Sequence, residues 1–145
     1  MVPACTDRSR RPLKPFFFYG TLRDPDVVAA VLGRRPANAA EPAQAHGWRA
    51  APVTGASYPV LVPEPGYAAT GVLLRGLTPA DLRRLIDYEG PGYRLAAMTV
   101  ECAGGPVDAQ VFLPASGVAH SSGVWSFETW QKSHRAAWLA RLRGR

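Results

Sequence analysis

A chain of 145 residues, 47% hydrophobic and 19% charged, is long enough for one self-sufficient core and too apolar to remain disordered. Its net charge of +6 suggests a polyanion binder, yet Arg8, Arg10, Arg11 and Lys14 near one end and Arg135, Arg141, Arg143 and Arg145 at the other outweigh that excess. The body between them is nearly neutral and carries no nucleic-acid reader motif, so specific nucleic-acid binding is not expected.

Residues 1–15 are polar, basic and proline-containing, which predicts a flexible tail ahead of a single domain over 16–145. Phe16–Tyr19 reads as a short buried strand ending at Gly20. Asp24-Pro25-Asp26 supplies an N-cap, a proline at the first helical position and an acid in the first turn. Val27, Val28, Val31 and Leu32 then form an apolar stripe, and Gly33 stops the helix. Ala37–Val53, interrupted by Pro42, Gly47 and Pro52, is read as one or two strands around Ala43–Ala51. Tyr58–Val62 predicts an edge or irregular strand because of Pro59, and Tyr67–Leu74 a separate, better one.

Thr78-Pro79-Ala80-Asp81 is a second helix start. Leu82, Leu85 and Ile86 are expected to face the core and Arg83, Arg84 and Asp87 the solvent. Gly90-Pro91-Gly92 forbids continuation, with fraying near Tyr88-Glu89. Tyr93–Cys102 and Val107–Leu113 predict a hairpin around Ala103-Gly104-Gly105-Pro106. Ser126–Leu142, apolar at Trp130, Ala137, Trp138 and Leu142, predicts one terminal helix held down by Trp125, Trp130 and Trp138. The order implies an α+β fold, a mostly antiparallel sheet or small barrel with helices packed on it.

Cys5 and Cys102 form no metal-ligand or disulfide pattern, and His46, His120 and His134 are scattered. Phosphate-loop, dinucleotide-fold and serine-elbow signatures are absent from the sequence, which leaves no cofactor to expect. There is no apolar signal-peptide region or membrane-length run, so the expected compartment is the cytoplasm. Two features remain. A strand feeding a glycine loop that opens a helix, Tyr19-Gly20-Thr21-Leu22, brings unpaired backbone N–H groups together, as an oxyanion or carboxylate requires. Glu89, between Tyr88 and Tyr93 where a helix is broken, is placed to have a raised pKa suited to proton transfer. The plainer readings are a turn and a core-edge aromatic for the loop, and a solvent-exposed helix-end acid for Glu89.

Tyr19-Gly20-Thr21-Leu22-Arg23, Tyr58-Pro59-Val60-Leu61-Val62-Pro63, Gly71-Val72-Leu73-Leu74 and Asp87-Tyr88-Glu89-Gly90-Pro91-Gly92-Tyr93-Arg94, in that order, resemble the gamma-glutamylcyclotransferase-like family. Trp125-Ser126-Phe127-Glu128-Thr129-Trp130 is similar to an element of its avirulence-induced-gene branch. The resemblance implies a small mixed, mostly antiparallel barrel with flanking helices and a cavity where the loop faces the glutamate. It implies that Tyr19, Gly20, Thr21 and Leu22 bind the amino-acid end of a small gamma-glutamyl substrate. Glu89 is then the general acid/base, and Tyr93 shapes or hydrogen-bonds the site. Arg23 and Arg94 match family positions as well, with a functional or a structural role. The implied activity is release of 5-oxoproline by a monomer or weak homodimer. A ligand-binding or protein-interaction domain on the same scaffold, or a polyanion binder using the tails, are the alternatives.

Overall fold

The computed structural model describes residues 13–144. The expected tail falls outside them up to residue 12. Leu13 already belongs to the fold: its N–H donates to the Leu77 carbonyl (2.8 Å) and its side chain packs on the core.

Among the described residues, five strands close into a barrel in the order β1-β3-β2-β4-β5. They are β1 (Phe16–Phe18), β2 (Glu41–Pro52), β3 (Pro59–Leu74), β4 (Tyr93–Cys102) and β5 (Gly105–Pro114). Every pairing is antiparallel except β1 on β5, which makes the barrel mixed as expected. Helices α1 (Pro25–Leu32), α2 (Pro79–Glu89), α3 (Phe127–Ser133) and α4 (Arg135–Arg143) lie outside it. No helix in the described residues is long and apolar enough to cross a membrane.

The apolar run at the start of the domain is continuous because both of its faces are covered. Phe17 and Tyr19 point into the barrel, onto Ala43, Ala45, Leu61, Leu73 and Val111. Phe16 and Phe18 point the other way, into a second core with Val27, Leu85, Phe112, Trp130 and Leu139. Alanines take up part of the barrel interior, and larger side chains pack under the helices.

Both anticipated helix starts are present. Asp24 Oδ1 accepts from the Asp26 amide (2.9 Å), and Thr78 and Asp81 form a reciprocal capping box. Asp81 also accepts from Arg34 of α1, and burial of Asp81 is outweighed by that partner and the cap, so its carboxyl is held below the usual range.

Three expectations need correction. The two strands read at Tyr58–Val62 and Tyr67–Leu74 are one element, β3, whose halves pair separately with β2: the register jumps at His46/Trp48 and residues 64–67 are looped out. Prolines are tolerated there because residues 59–70 have no second neighbouring strand, so no ladder bond is lost on the outer side. Ile86 is 47% exposed rather than core-facing, because α2 rests on the face that carries Leu85 and the partly buried Leu82 and Tyr88. The single terminal helix is two, broken at His134 (φ −128°, ψ −19°). The break lets Trp130 stay in the core while Arg135 turns onto α1, where its Nε lies 2.6 Å from the buried Asp24 and its Nη2 meets Asp26. Ala137 is consequently exposed and Leu139 buried.

Candidate active site

β1 delivers Tyr19 to the barrel rim, and there the chain changes direction. Tyr19 is buried, and its hydroxyl donates to the Phe112 carbonyl of β5 (2.6 Å), so the phenol is a fixed wall rather than a free polar group. Burial, and then the charges of Tyr93 and Glu89, push its pKa well above the ordinary value. Gly20 has φ −116° and ψ −135°, outside the left-handed region. Its value is clearance instead: an added Cβ would lie 3.3 Å from the Pro59 ring. Thr21–Arg23 then make a single 3₁₀ turn, closed by Arg23 N–H to Gly20 O (3.0 Å) and Asp24 N–H to Thr21 O (3.1 Å). The amides of Gly20, Thr21 and Leu22 precede the first bond of that turn and meet no acceptor among the described residues.

Across from the loop, α2 ends at Glu89. Gly90 adopts φ 80° and ψ −178°, a conformation that essentially only glycine takes, and its N–H closes the helix on Ile86 O (2.9 Å). The chain therefore leaves the helix sharply, and Tyr93 returns to the site with its hydroxyl on the Pro59 carbonyl (3.0 Å).

Loop and helix end share a cavity of about 220 Å³. All six residues singled out in the sequence line it: Tyr19, Gly20, Thr21, Leu22, Glu89 and Tyr93. Arg23 lies elsewhere, over the Phe127 ring, and Arg94 is exposed on β4. The remaining walls are aromatic, notably Tyr58, Tyr88, Phe112 and Trp138. Tyr88 and Tyr58 sit inside recognisable motifs, but no sequence signal places Trp138 here. It was expected only to pack the last helix, and it reaches the site from the second of the two terminal helices.

Glu89 is the one charged residue of the lining. It keeps some solvent access, yet it has no hydrogen-bond partner or cation within reach among the described residues, and burial pushes its carboxyl up to about 8. Burial without a counter-charge therefore favours the protonated acid. Tyr93 is raised by burial and then by the Glu89 charge, and Tyr88 is pushed up to about 12, chiefly by burial. Neither phenol can substitute as the titrating group near pH 7.

A hydrogen-bonded chain ties the last helix to the loop. Trp138 Nε1–H donates to Tyr88 Oη (2.8 Å), and Tyr88 Oη lies 2.6 Å from Thr21 Oγ1. An indole N–H can only donate. One of the two hydroxyl protons is used between Tyr88 and Thr21, and the other has no protein acceptor among the described residues, leaving it for whatever occupies the cavity. Among the described residues no cluster of three metal-ligating side chains is present.

Barrel order, rim loop and facing carboxylate define the class: the fold is that of the gamma-glutamylcyclotransferase-like proteins. A solved structure named gamma-glutamyl cyclotransferase matches 92% of this chain and 87% of its own length with a TM-score of 0.63 at 15% identity. A solution structure of an Arabidopsis thaliana protein matches 95% of this chain and 84% of its own length, with a TM-score of 0.69 and 22% identity. In sequence, residues 16–132 match the family described as gamma-glutamyl cyclotransferase, AIG2-like, and the chain belongs to that family. AIG2-like protein A of Arabidopsis thaliana is 26% identical over 126 residues, covering 85% of this chain and 75% of that protein.

Proposed function

We propose that this protein is a gamma-glutamylcyclotransferase that releases 5-oxoproline from a gamma-glutamyl amine or peptide, with Glu89 as general acid/base. The observation that carries the reading is a desolvated carboxylate facing three unpaired loop amides across one cavity that holds no cation.

A gamma-glutamyl amide contains its own nucleophile, the α-amine, which enters protonated. Its ammonium is the counter-charge the cavity lacks, so binding favours the ionised form of Glu89. Glu89 then takes one proton from the ammonium, and the free amine attacks the γ-carbonyl to close a five-membered ring. Amides of Gly20, Thr21 and Leu22, with the hydroxyl proton left over between Thr21 and Tyr88, hold the α-carboxylate or the oxyanion. As the C–N bond breaks, Glu89 returns this proton to the leaving nitrogen. It then takes the second proton from the positively charged ring nitrogen and passes it to the departing amine, so a neutral lactam and an ammonium product leave and Glu89 is regenerated. Intramolecular attack supplies much of the rate through proximity, and one titrating group is enough for the remaining proton traffic.

The test is 5-oxoproline release across a panel of gamma-glutamyl donors with varied leaving amines, comparing the natural chain with Glu89→Gln. Release that disappears in Glu89→Gln supports the assignment. A fully active Glu89→Gln protein removes Glu89 from the mechanism, and binding without turnover over the whole panel favours a ligand-binding domain instead.

A further inference from the structure

On the other side of Tyr19 lies a second, smaller cleft of about 90 Å³ that the proposed chemistry does not use. Tyr19 belongs to both linings, but here the charged residues are Arg23 and Arg49, and no acidic side chain lines the cleft.

Neutral groups hold each guanidinium, and among the described residues a carboxylate reaches only one nitrogen of Arg49 and none of Arg23. Arg49 is 8% exposed and sits just past the register jump in β2. Its Nη1 donates to the Ser121 carbonyl (3.1 Å) and the Gly123 carbonyl (2.5 Å), both neutral acceptors. The nearest acid, Glu64, reaches only Nε, at 3.4 Å and from a position 42% exposed. Nη2 of Arg49 has no acceptor among the described residues. Arg23 is partly buried, its guanidinium carbon 4.4 Å above the centre of the Phe127 ring. Its Nε is buried without an acceptor, and no carboxylate lies within ion-pairing distance of it among the described residues. Burial lowers the Arg23 pKa, and the field of Glu128 opposes this only in part. A guanidinium does not lose its proton near neutrality, so a desolvated one can be compensated only by an acceptor.

We propose that this cleft is a binding site for a small oxyanion, a carboxylate or a phosphate group, gripped between Arg23 and Arg49. Planar guanidinium forks match both groups bidentately, and such charge-assisted bonds are about twice as strong as neutral ones. The space admits a few water volumes of about 30 Å³ each, which suits one oxyanion and excludes a nucleic-acid strand. The looped-out residues 64–67 of β3 place Tyr67, 45% exposed, as a hood whose ring centre is 5.9 Å from the Arg49 guanidinium. Thr70 stands exposed in the same lining, and Trp125 forms another part of the wall. This site does not depend on the cyclotransferase reading.

The experiment is titration of the full chain with inorganic phosphate and, separately, with acetate, at constant ionic strength set with chloride. Tryptophan fluorescence, to which Trp125 contributes, and the unfolding midpoint are the readouts. Saturable binding of either anion is expected, with the stronger of the two identifying the group the cleft prefers. Arg23→Gln should weaken it about tenfold or more. Thr70→Asp, an exposed change that brings a negative charge into the lining, should abolish it without disturbing the fold. Glu89→Gln should leave it unchanged. The proposal is overturned if neither anion saturates, if both variants bind as the natural chain does, or if Glu89→Gln changes the anion affinity, which would place the anion in the larger cavity.

Discussion

The two cavities that share Tyr19 are electrostatic opposites. The larger holds one carboxylate and no cation, the smaller two guanidiniums and no acid. Burial acts on both in the same sense, disfavouring the charged form, but with different consequences. It moves Glu89 from 4.5 to about 8, into the range where a proton can be taken and returned near neutrality. It lowers the Arg23 pKa too, but from so high a starting value that the charge persists and only the need for an anion grows. One physical effect therefore supports the proton-transfer role proposed for one cavity and the ligand-holding role proposed for the other.

The largest effect that separates them is on catalysis. Glu89→Gln should reduce 5-oxoproline release by about 10²–10⁴-fold, the usual worth of a positioned acid/base, while phosphate or acetate binding in the smaller cleft is unaltered. A variant that loses both together would show that the cavities are not independent.

Next is stability. Between pH 4.5 and about 8 the folded chain holds a proton on Glu89 that the unfolded chain has released, so this residue makes stability fall as pH rises through that window. Glu89→Gln should therefore unfold at higher denaturant than the natural chain. The difference should be near zero at pH 4 and grow towards pH 8, with a ceiling of roughly 5 kcal/mol. Equal midpoints across that range would mean that burial does not govern Glu89.

A smaller change follows from putting a cation where the larger cavity has none. For the natural chain kcat/KM should rise with pH along a limb near 8, reporting Glu89 in the free protein. Tyr58→Arg, at a wall position that is 37% exposed, should move that limb down by about 1–3 pH units. A limb that stays in place excludes Glu89 as its source.

The smallest effect concerns the link from the last helix. Trp138→Phe keeps a ring but removes the donor to Tyr88, worth about 1 kcal/mol, and should raise KM or lower kcat a few-fold without moving the pH limb. A shift of the limb would mean that Trp138 acts on Glu89 itself rather than through Thr21.

How much was legible in the chain depends on how far apart the deciding atoms lie. The starts of α1 and α2, the stops at Gly33 and Gly90 and the β4–β5 hairpin follow from interactions across a few neighbouring residues, and all were readable. So were the candidate loop and Glu89, because a glycine after an apolar run and an acid before Gly90-Pro91-Gly92 are local patterns. The exposure of Ile86, the fusion of two expected strands into β3 and the break at His134 were not readable, since each depends on which distant element is available to cover or pair a residue. Nothing near His134 in the chain is a helix breaker; Arg135 meeting Asp24, more than a hundred positions away, accompanies the turn.

By itself, then, the sequence determined the barrel-with-helices class and the starts of α1 and α2, and it pointed to the two halves of the proposed active site. Tertiary structure alone decided that Glu89 would be desolvated without a cation, that Trp138 would reach the Tyr88–Thr21 pair, and that Arg23 and Arg49 would share a cleft. Hydrogen bonds at a cap join residues three positions apart, whereas burial and charge compensation are sums over everything that folding brings near.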